Sequence, residues 1–240
     1  MGIIIFNGVS SEDLHILVQH PPEYGFPEKD SEATHVPGRN GDIVVDSGTW
    51  QNVDRTYDLA IDATGDVTYT DLASRFTQWL HSACTYARLE DSYEPDYYRM
   101  AIYKNSGSIS NLFNKAGTIE VTFNCKPQRF LKSGEEIEVF RTSGTYYRNP
   151  TEFTAKPKII IHGSGSGSIN VGNYSININN ITDGMVIDSE IQDVYKGTIN
   201  CNSSVSFDEF PKLVEGDRGN YITFTGGISY IEIIPRWWTL

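Results

Sequence analysis

Basic residues are scarce in this sequence. It holds 19 Lys and Arg against 31 Asp and Glu, a formal net charge of −12 over 240 residues, and both halves of the chain are acidic. Proteins hold DNA phosphates and anionic membrane surfaces with clustered Lys and Arg. The charge balance therefore argues against a general affinity for nucleic acid or for a membrane surface.

Long apolar runs are lacking as well. No stretch approaches the roughly 18 apolar residues of a membrane-spanning helix. The opening MGIIIFNGVSSEDL has no cationic segment before its short apolar run, and a signal peptide needs both features. We expect a chain that is made in the cytoplasm and has no membrane partner.

Residues that build metal and redox sites are few and scattered. The cysteines Cys84, Cys125 and Cys201 match no CxxC spacing, so buried reduced thiols are expected. The five histidines never recur at the spacing of metal ligands. The sequence predicts neither a metal site nor a cofactor.

Motifs of catalysis are absent too, with no GxSxG elbow, Walker loop, HExxH helix or dinucleotide-binding GxGxxG. We predict that the protein is not an enzyme, although a site assembled from scattered residues is left open. Two acidic clusters lack the ordered oxygen spacing of a calcium loop and are predicted to be solvated turns. Their members are Glu90, Asp91, Glu94 and Asp96 in the first, and Asp208 and Glu209 in the second.

Residue patterns typical of β-strands are abundant in the sequence. Hydrophobic residues make up 39% and aromatic residues 12%, enough for a folded core. Asn40-Gly41 favours a hairpin turn, because both residues tolerate positive φ. The run GSGSGS at 163–168 is interpreted as a long mobile hairpin tip between two strands. Alternating or β-rich runs lie at 43–45, 57–61, 118–124, 158–162, 174–178, 221–225 and 228–234.

One stretch, TDLASRFTQWLHSA, has a different period. Its apolar residues recur at i, i+4, i+7 and i+8, which predicts an amphipathic helix with one packing face. Thr70 or Asp71 is the expected N-cap. A helix among many strands predicts a mainly β protein in which the helix lies across one sheet of a β-sandwich. The packing-face residues are Leu72, Phe76, Trp79 and Leu80.

Two polar segments are candidate domain boundaries, KSGEE and the proline-containing RNPTEFTAKP. We predict a first β domain at 1–134, a connector or arm at 135–157 and a second β domain at 158–240.

Clustered tyrosines leave two interpretations open. They could line a carbohydrate groove, or they could pack at subunit contacts, where an apolar ring with a polar tip suits a partly wet surface. The tyrosines concerned are Tyr93, Tyr97, Tyr98, Tyr146 and Tyr147.

The segment ISYIEIIPRWWTL carries two adjacent indoles. If strand geometry continues past Pro235, Trp237 and Trp238 point to opposite faces and cannot form one flat platform. A buried indole contributes up to about 5 kcal/mol. At least one of the two is therefore predicted to close the core of the second domain as a structural lock.

Several segments, taken in order, resemble siphophage distal tail proteins. FPKLVEGDRGNYITFTGGISYIEIIPRWWTL carries a Phe-Pro-x-Leu, a Gly-Asn turn, two strands and a closing Pro-Arg-Trp-Trp, as in that family. AKPKIIIHGSGSGSINVG resembles its Lys-Pro strand and Gly/Ser-rich turn, and VPGRNGDIVVDSG, RFTQWL, RLEDSYEPDYYRMA and GTIEVTFNCKPQRF stand in the family's order. The matched C-terminal residues are Phe210, Pro211, Leu213, Gly219, Asn220, Pro235, Arg236, Trp237 and Trp238.

The resemblance implies a structural virion protein without catalysis. Members join a β-sandwich, with a helix and a hairpin arm, to a galectin-like β-sandwich, and six copies form a ring at the distal end of a non-contractile tail. The ring would join the major tail tube protein to the tail-associated hub protein and, in some phages, carry receptor-binding proteins. Such a protein resides in the virion, at the tail tip, after assembly in the cytoplasm of the bacterial host.

An acidic lumen would let DNA pass through such a ring without specific binding, because like charges repel. The main alternative is a baseplate carbohydrate-binding module that contacts host wall polysaccharide through the C-terminal domain. A galectin-like fold does not by itself imply sugar binding. A hydrolytic tail enzyme is the third hypothesis.

Overall fold

Two compact units make up the chain. They are Met1–Arg129 together with Leu240, and Phe130–Thr239, so the division falls a few residues before the predicted boundary at 134. The residues described in the computed structural model are 2–62, 68–104, 110–112, 116–216 and 219–240.

The first unit is built mainly of strands. A 3₁₀ turn at Glu12–Leu14 follows its second strand. The elements are β1 (Ile4–Phe6), β2 (Val9–Ser10), β3 (Ile16–Val18), β4 (Lys29–Thr34), β5 (Ile43–Trp50), β6 (Val53–Asp62), α1 (Tyr69–Leu80), β7 (Ala87–Asp91), β8 (Tyr97–Tyr103), β9 (Ser110–Leu112) and β10 (Ala116–Leu131).

A curled sheet surrounds the core of this unit. Its strands follow the order β2-β1-β7-β8-β10-β6-β3, with β9 also paired to β10. Backbone hydrogen bonds of 3.0 and 2.8 Å between Gly2 and Val18 link the β3 edge back to the start of β1. This closure removes much of the free strand edge on which another chain could pair.

Alternating side chains of β6 point into the core. Tyr57, Leu59 and Ile61 are at most 1% exposed, whereas Asp54 and Asp58 face solvent. The ladder to β10 is continuous and antiparallel. Period-2 burial of this kind gives the sheet one apolar and one polar face.

The helix α1 packs on the same core. All four residues of the predicted packing face are buried there with side chains of the sheet. Trp79 Nε1 also donates a hydrogen bond of 3.1 Å to the Phe6 carbonyl oxygen.

The N-cap of α1 differs from the prediction. Thr68 caps the helix, with its Oγ1 accepting from the Asp71 N–H at 3.2 Å, so Thr70 and Asp71 lie in the first turn. The predicted caps were wrong because Tyr69 already has helical geometry, although it lies outside the apolar stripe.

The strands β4 and β5 form a separate two-stranded sheet, which we name the arm (residues 29–50). Both strands are exposed along almost their whole length. The Asn40-Gly41 pair lies in the connection between them, and Gly41 has a φ of +80°, as its turn position requires.

The second unit is also built of strands. Short 3₁₀ turns cover Lys132–Glu135 and Asn202–Ser204. Its strands are β11 (Glu138–Phe140), β12 (Thr145–Tyr146), β13 (Lys158–Val171), β14 (Tyr174–Ile181), β15 (Met185–Asp188), β16 (Asp193–Lys196), β17 (Ile199–Asn200), β18 (Val205–Ser206), β19 (Tyr221–Ile234) and β20 (Trp238–Thr239).

The segment GSGSGS lies inside β13, so the predicted mobile hairpin tip is wrong. The first half of β13 pairs with β15 and the second half with β14, while β19 pairs along both halves. A Cβ on Gly163 would lie 2.1 Å from the Gly227 oxygen, and one on Gly227 would lie 1.7 Å from the Ser164 oxygen. Glycine is required because the two backbones approach so closely. The β-bulges at these glycines bend β13 and β19, so that each strand contributes to both layers of a β-sandwich.

The segment predicted as a connector, 135–157, belongs to the second unit. It contributes β11 and β12, which both pair with β19. Phe140 and Ala155 of this segment are buried in the second core.

Isoleucines dominate the core of the second unit, and Ile159, Ile161, Ile169, Ile231 and Ile233 have no exposed surface. The predicted mainly β fold, with β-sandwich units and with a helix and an arm in the first, is confirmed. Among the described residues, no helix has the length and apolar character needed to cross a membrane.

Two of the three cysteines are buried as predicted, and the third is not. Cys125 and Cys201 are buried free thiols, but Cys84 is exposed between α1 and β7. Burial raises the pKa of Cys125 to about 12, so this thiol stays protonated and unreactive at neutral pH.

Candidate assembly site

A buried ion-pair cluster, which we name the arginine cluster, holds the turn between β7 and β8. Arg55 Nη2 lies 3.3 Å from Asp91 Oδ2 and 3.0 Å from Glu94 Oε2. Arg129 Nη1 lies 2.7 Å from Glu94 Oε1, and Arg99 Nη2 lies 3.5 Å from Glu94 Oε2. The side chains of Arg55, Asp91 and Glu94 are only 2%, 5% and 8% exposed. Their interactions are therefore only weakly screened by solvent.

Local structure places each member of the arginine cluster. Arg55 occupies an inward-facing position of β6, two residues before Tyr57. Asp91 ends β7, and its Oδ1 accepts the N–H groups of Tyr93 and Glu94 at 2.9 Å each, which fixes the turn. Tyr57 donates to Asp91 Oδ2 at 2.9 Å. Burial and the charge of Asp91 raise the pKa of Tyr57 well above its ordinary value, so the phenol remains a donor.

The predicted solvated turn is wrong for Asp91 and Glu94. Both carboxylates are buried, because arginines from three different strands meet them. Asp96 of the same turn is exposed, as are Asp208 and Glu209 of the second acidic cluster.

The arginine cluster has no room for a substrate. The cavity beside Tyr57, Asp91 and Arg99 has a volume of about 10 Å³, which is the space of one water molecule. In the described part of the chain, no group of three or more His, Cys, Asp and Glu side chains could hold a metal ion. The ion pairs of the cluster connect β6, β8 and β10 to the turn between β7 and β8.

Arg55 also anchors the wall of a surface cleft. Its Nη1 donates to the Glu23 carbonyl oxygen at 3.1 Å, and its guanidinium lies 4.8 Å from the centre of the Tyr24 ring. These contacts hold the loop at 20–25 beside the outer face of β6 and β10. The enclosed volume is about 410 Å³, and we name it the acidic cleft.

Carboxylates dominate the acidic cleft. Glu23, Asp54, Asp58 and Glu120 line it, and among its described lining residues His20 alone can carry a positive charge. Asp58 and Glu120 stand directly opposite one another in the β6–β10 ladder. Like charges in that position destabilise a sheet, so a cation that enters the cleft would be stabilising.

Residues of the C-terminal motif come together in the second unit. Leu213 is fully buried and exchanges two backbone hydrogen bonds of 2.9 Å with Ala155. The buried Asn220 side chain accepts from the Val214 N–H and donates to the Val214 carbonyl, both at 2.8 Å. The other motif residues here are Phe210, which packs against the second core, the buried Pro211 and Pro235, and the half-buried Gly219.

The two indoles lie in different environments, and neither forms an open platform. Trp237 is 4% exposed, and its ring lies 5.4 Å from that of Tyr147 in the second core. Trp238 is half-buried, donates from Nε1 to the Thr154 carbonyl at 3.0 Å and packs on Phe153 at 4.5 Å.

Arg236 interrupts the strand that was expected to continue past Pro235, since its φ is +58°. Its guanidinium donates two hydrogen bonds, of 2.6 and 2.8 Å, to Asp188. Burial alone would raise the pKa of Asp188. The hydrogen bonds and charge of Arg236 outweigh burial and hold that pKa below its ordinary value of 3.8.

The Asp188–Arg236 pair should make the second unit sensitive to acid. Because the folded-state pKa of Asp188 is depressed, its contribution to stability is present above the unfolded-state pKa and is lost as the pH falls through the folded-state value. Arg236→Ala leaves the carboxylate buried without its partner and should raise its pKa. We expect the difference in unfolding free energy between wild type and Arg236→Ala to shrink as the pH falls from about 6 to about 3.

Urea unfolding at a series of pH values, followed by amide exchange in β15 and β19, measures this difference. Lys212→Ala is the matched control, because the Lys212–Glu209 pair in the same unit is largely exposed and should contribute less than about 1 kcal/mol. A stability difference for Arg236→Ala that does not change with pH would refute the assignment.

The tyrosines considered for a carbohydrate groove have separate surroundings. Tyr147 packs against Phe140 and Trp237, and burial raises its pKa well above the ordinary value. Tyr146 is 60% exposed. The remaining three, Tyr93, Tyr97 and Tyr98, belong to the first unit.

Sequence reasoning missed the arginines of the cluster and the acidic cleft. One signal was available, because Arg55 stands in the alternating run VDRTYDLAI at the same period as Val53, Tyr57 and Leu59. A charged residue at an inward position of a strand requires a buried partner of opposite charge.

No family model and no curated protein matches this chain. Among solved structures, the crystal structure of Dit (gp 19.1) of phage SPP1, described as a paradigm of the hub adsorption apparatus in phages that infect Gram-positive bacteria, has a TM-score of 0.75, covers 100% of both chains and is 16% identical. A chain of the phage P2 baseplate, in its activated conformation with Ca, has a TM-score of 0.56 over 97% of both chains at 11% identity. The predicted resemblance to distal tail proteins is confirmed, and at these identities it establishes a shared fold.

Proposed function

We propose that this chain is a structural protein of a phage tail tip, where six copies form a ring. The fold shared over the full length with a protein of the hub adsorption apparatus carries this proposal. In it, the ring joins the major tail tube protein to the tail-associated hub protein and carries receptor-binding proteins.

Each unit has the rigid structure expected of a protein that holds other proteins in position. In the first unit, a closed sheet surrounds the core and the arginine cluster holds a turn through ion pairs between β6, β7, β8 and β10. In the second, two long strands bend together at facing glycines. The cavity at the arginine cluster, of about 10 Å³, is too small for a substrate. These features support a structural role over an enzymatic one.

The acidic composition supports the passage of DNA through such a ring without specific binding. A net charge of −12 repels the phosphates of a duplex at short range. A purified ring that retained duplex DNA at physiological salt would argue against this part of the proposal.

Native mass spectrometry and negative-stain electron microscopy of the purified chain test the ring itself. The expected species has six times the monomer mass of 26.9 kDa and a six-fold annular projection. A chain that stays monomeric at every concentration, both alone and with the tail tube protein, would overturn the proposal.

A further inference from the structure

A surface pocket of the second unit lies beside the turn between β15 and β16. It has a volume of about 390 Å³, within the roughly 300–1,000 Å³ of most small-ligand sites. Two aromatic rings, three neutral polar side chains and one valine line it, and we name it the aromatic pocket. The lining residues are Gln192, Asn202, Val205, Ser206, Phe207 and Phe210.

The two phenylalanines form an apolar surface in the aromatic pocket. The rings of Phe207 and Phe210 meet edge to face, with their centres 4.7 Å apart. Both side chains pack against the second core and remain partly exposed. The face of an aromatic ring carries partial negative charge, so it attracts C–H groups that are polarised by neighbouring oxygens. The C–H groups on one side of a pyranose ring have this character.

Gln192 presents an unpaired amide at the edge of the pocket. Its φ is +55°, a conformation that glycine adopts without steric cost and that other residues rarely adopt. The side chain is exposed and has no hydrogen-bond partner among the described residues. Strained positions of this kind cluster at ligand sites. The amide is therefore available to a ligand.

The turn that carries Gln192 is fixed from behind. Asp188 Oδ1 accepts the Glu190 N–H at 3.1 Å, and the same carboxylate is held by the two hydrogen bonds from Arg236. A binding group on a turn that is already ordered loses little conformational entropy when a ligand binds. Arg236 of the C-terminal motif thus helps to position this amide.

Asn202 and Ser206 add further hydrogen-bonding groups. Asn202 Oδ1 accepts the Val194 N–H, and its Nδ2 donates to Asp193 Oδ1, both at 2.8 Å. These bonds orient the amide and leave one N–H and one lone pair unused. The exposed Ser206 hydroxyl has no partner in the described part of the chain. Donors and acceptors on neighbouring groups match sugar hydroxyls, which both donate and accept.

The charge around the aromatic pocket favours a neutral ligand. Proteins hold phosphates and carboxylates mainly with Arg and Lys, and no charged side chain is among the described lining residues. The charged residues that follow Phe207 in sequence are Asp208 and Glu209, and Glu209 already pairs with Lys212. An anionic ligand would find no cation in this lining.

We propose that the aromatic pocket binds a neutral pyranose sugar. Phe207 and Phe210 pack against the apolar side of the ring, and the amides of Gln192 and Asn202 bond to its hydroxyls. This inference goes beyond the proposed ring and does not depend on it. In a ring of six copies, six such pockets would give a polysaccharide useful avidity even if each bound one sugar with only millimolar affinity.

Saturation-transfer difference NMR on the full chain tests the proposal. The probes are methyl β-D-glucopyranoside, methyl β-D-galactopyranoside and N-acetyl-D-glucosamine. At least one should bind with a millimolar or tighter Kd, and the C–H protons on one side of its ring should receive most of the saturation.

Two variants test the pocket itself. Gln192→Gly removes the amide and suits the positive φ, so it should keep its stability while the Kd rises about fivefold. Phe207→Leu/Phe210→Leu retains apolar packing but removes both aromatic faces, and it should abolish measurable binding. If this double variant has a lowered unfolding midpoint, Gln192→Gly/Ser206→Ala replaces it, with an expected rise in Kd of about tenfold or more.

The matched controls remove the same chemistry elsewhere in the second unit. Asn180→Ala deletes an exposed amide outside the pocket, and Tyr146→Ala deletes a ring that is 60% exposed. Both variants should bind the sugar like wild type. D-sorbitol, which has hydroxyls but no pyranose ring, should receive no saturation.

The inference is wrong if none of the three sugars binds to the wild type, or if sorbitol is saturated as strongly as they are. Unchanged binding in the pocket variants, or binding lost in Tyr146→Ala, would place the sugar at another surface and also overturn it. Rings that form without sugar binding would refute this inference alone. Sugar binding by a chain that never forms a ring would refute only the proposed function.

Discussion

Arg55→Ala is expected to lower the unfolding free energy of the first unit by about 3–5 kcal/mol. The substitution leaves Asp91 without its cation at a position where its side chain is 5% exposed. In this variant Glu94 still pairs with Arg99 and Arg129, but it loses its 3.0 Å contact with Arg55. A buried carboxylate without its partner retains its desolvation penalty, and the loss therefore exceeds that of an ordinary surface ion pair.

Urea unfolding of the full chain, followed by hydrogen exchange of the amides of β6 and β10, reports on this unit separately. Lys29→Ala is the control, because Lys29 and Asp46 form an ion pair whose side chains are about half exposed; it should cost less than about 1 kcal/mol. Arg55→Met retains most of the packing and removes the charge. If Arg55→Met were as stable as wild type, lost packing and not the ion pairs would explain the effect of alanine.

The elements that follow from local periodicity could be predicted from the sequence. The spacing of Leu72, Phe76, Trp79 and Leu80 is a property of adjacent turns, and the helix appears where that spacing predicts it. The β-rich runs also became strands. Two of them, at 221–225 and 228–234, merged into the single strand β19, because the glycines between them bend the backbone without ending the ladder.

The bend in β13 could not be predicted from one strand alone. GSGSGS has the composition of a flexible tip, and its role depends on Gly226 and Gly227, which lie opposite it on a strand far along the chain. The close approach of the β13 and β19 backbones determines that GSGSGS is part of a bent strand. The composition of GSGSGS alone does not show this, because the approach depends on glycines in both strands.

The candidate site shows the same limit. Arg55 and Glu94 are 39 residues apart in sequence, and the acidic turn looks solvated until the curled sheet brings the arginines to it. The acidic cleft likewise combines a loop before the arm with strands after it. The resemblance to distal tail proteins predicted a ring, but it did not indicate which surfaces of this chain would meet.

Trp237→Ala is expected to lower the unfolding free energy of the second unit by about 3–5 kcal/mol, the usual cost of removing a buried tryptophan. The indole is 4% exposed and packs with Tyr147 in a core that also holds Phe140 and Phe224. Its backbone is also held, since the Leu131 N–H donates to the Trp237 carbonyl at 2.9 Å. Loss of the ring leaves a cavity that these fixed neighbours can fill only in part.

Tyr146→Ala is the matched control for the lock, because it removes an aromatic ring that is 60% exposed in the same unit and should change stability by about 0.5 kcal/mol or less. Gly134→Ala tests the backbone contact beside Trp237. The added Cβ would lie 2.4 Å from the Trp237 nitrogen and must displace the backbone there. We expect it to destabilise the unit while leaving the indole intact. Equal unfolding midpoints for Trp237→Ala and Tyr146→Ala would show that the motif contributes no lock, whatever its burial.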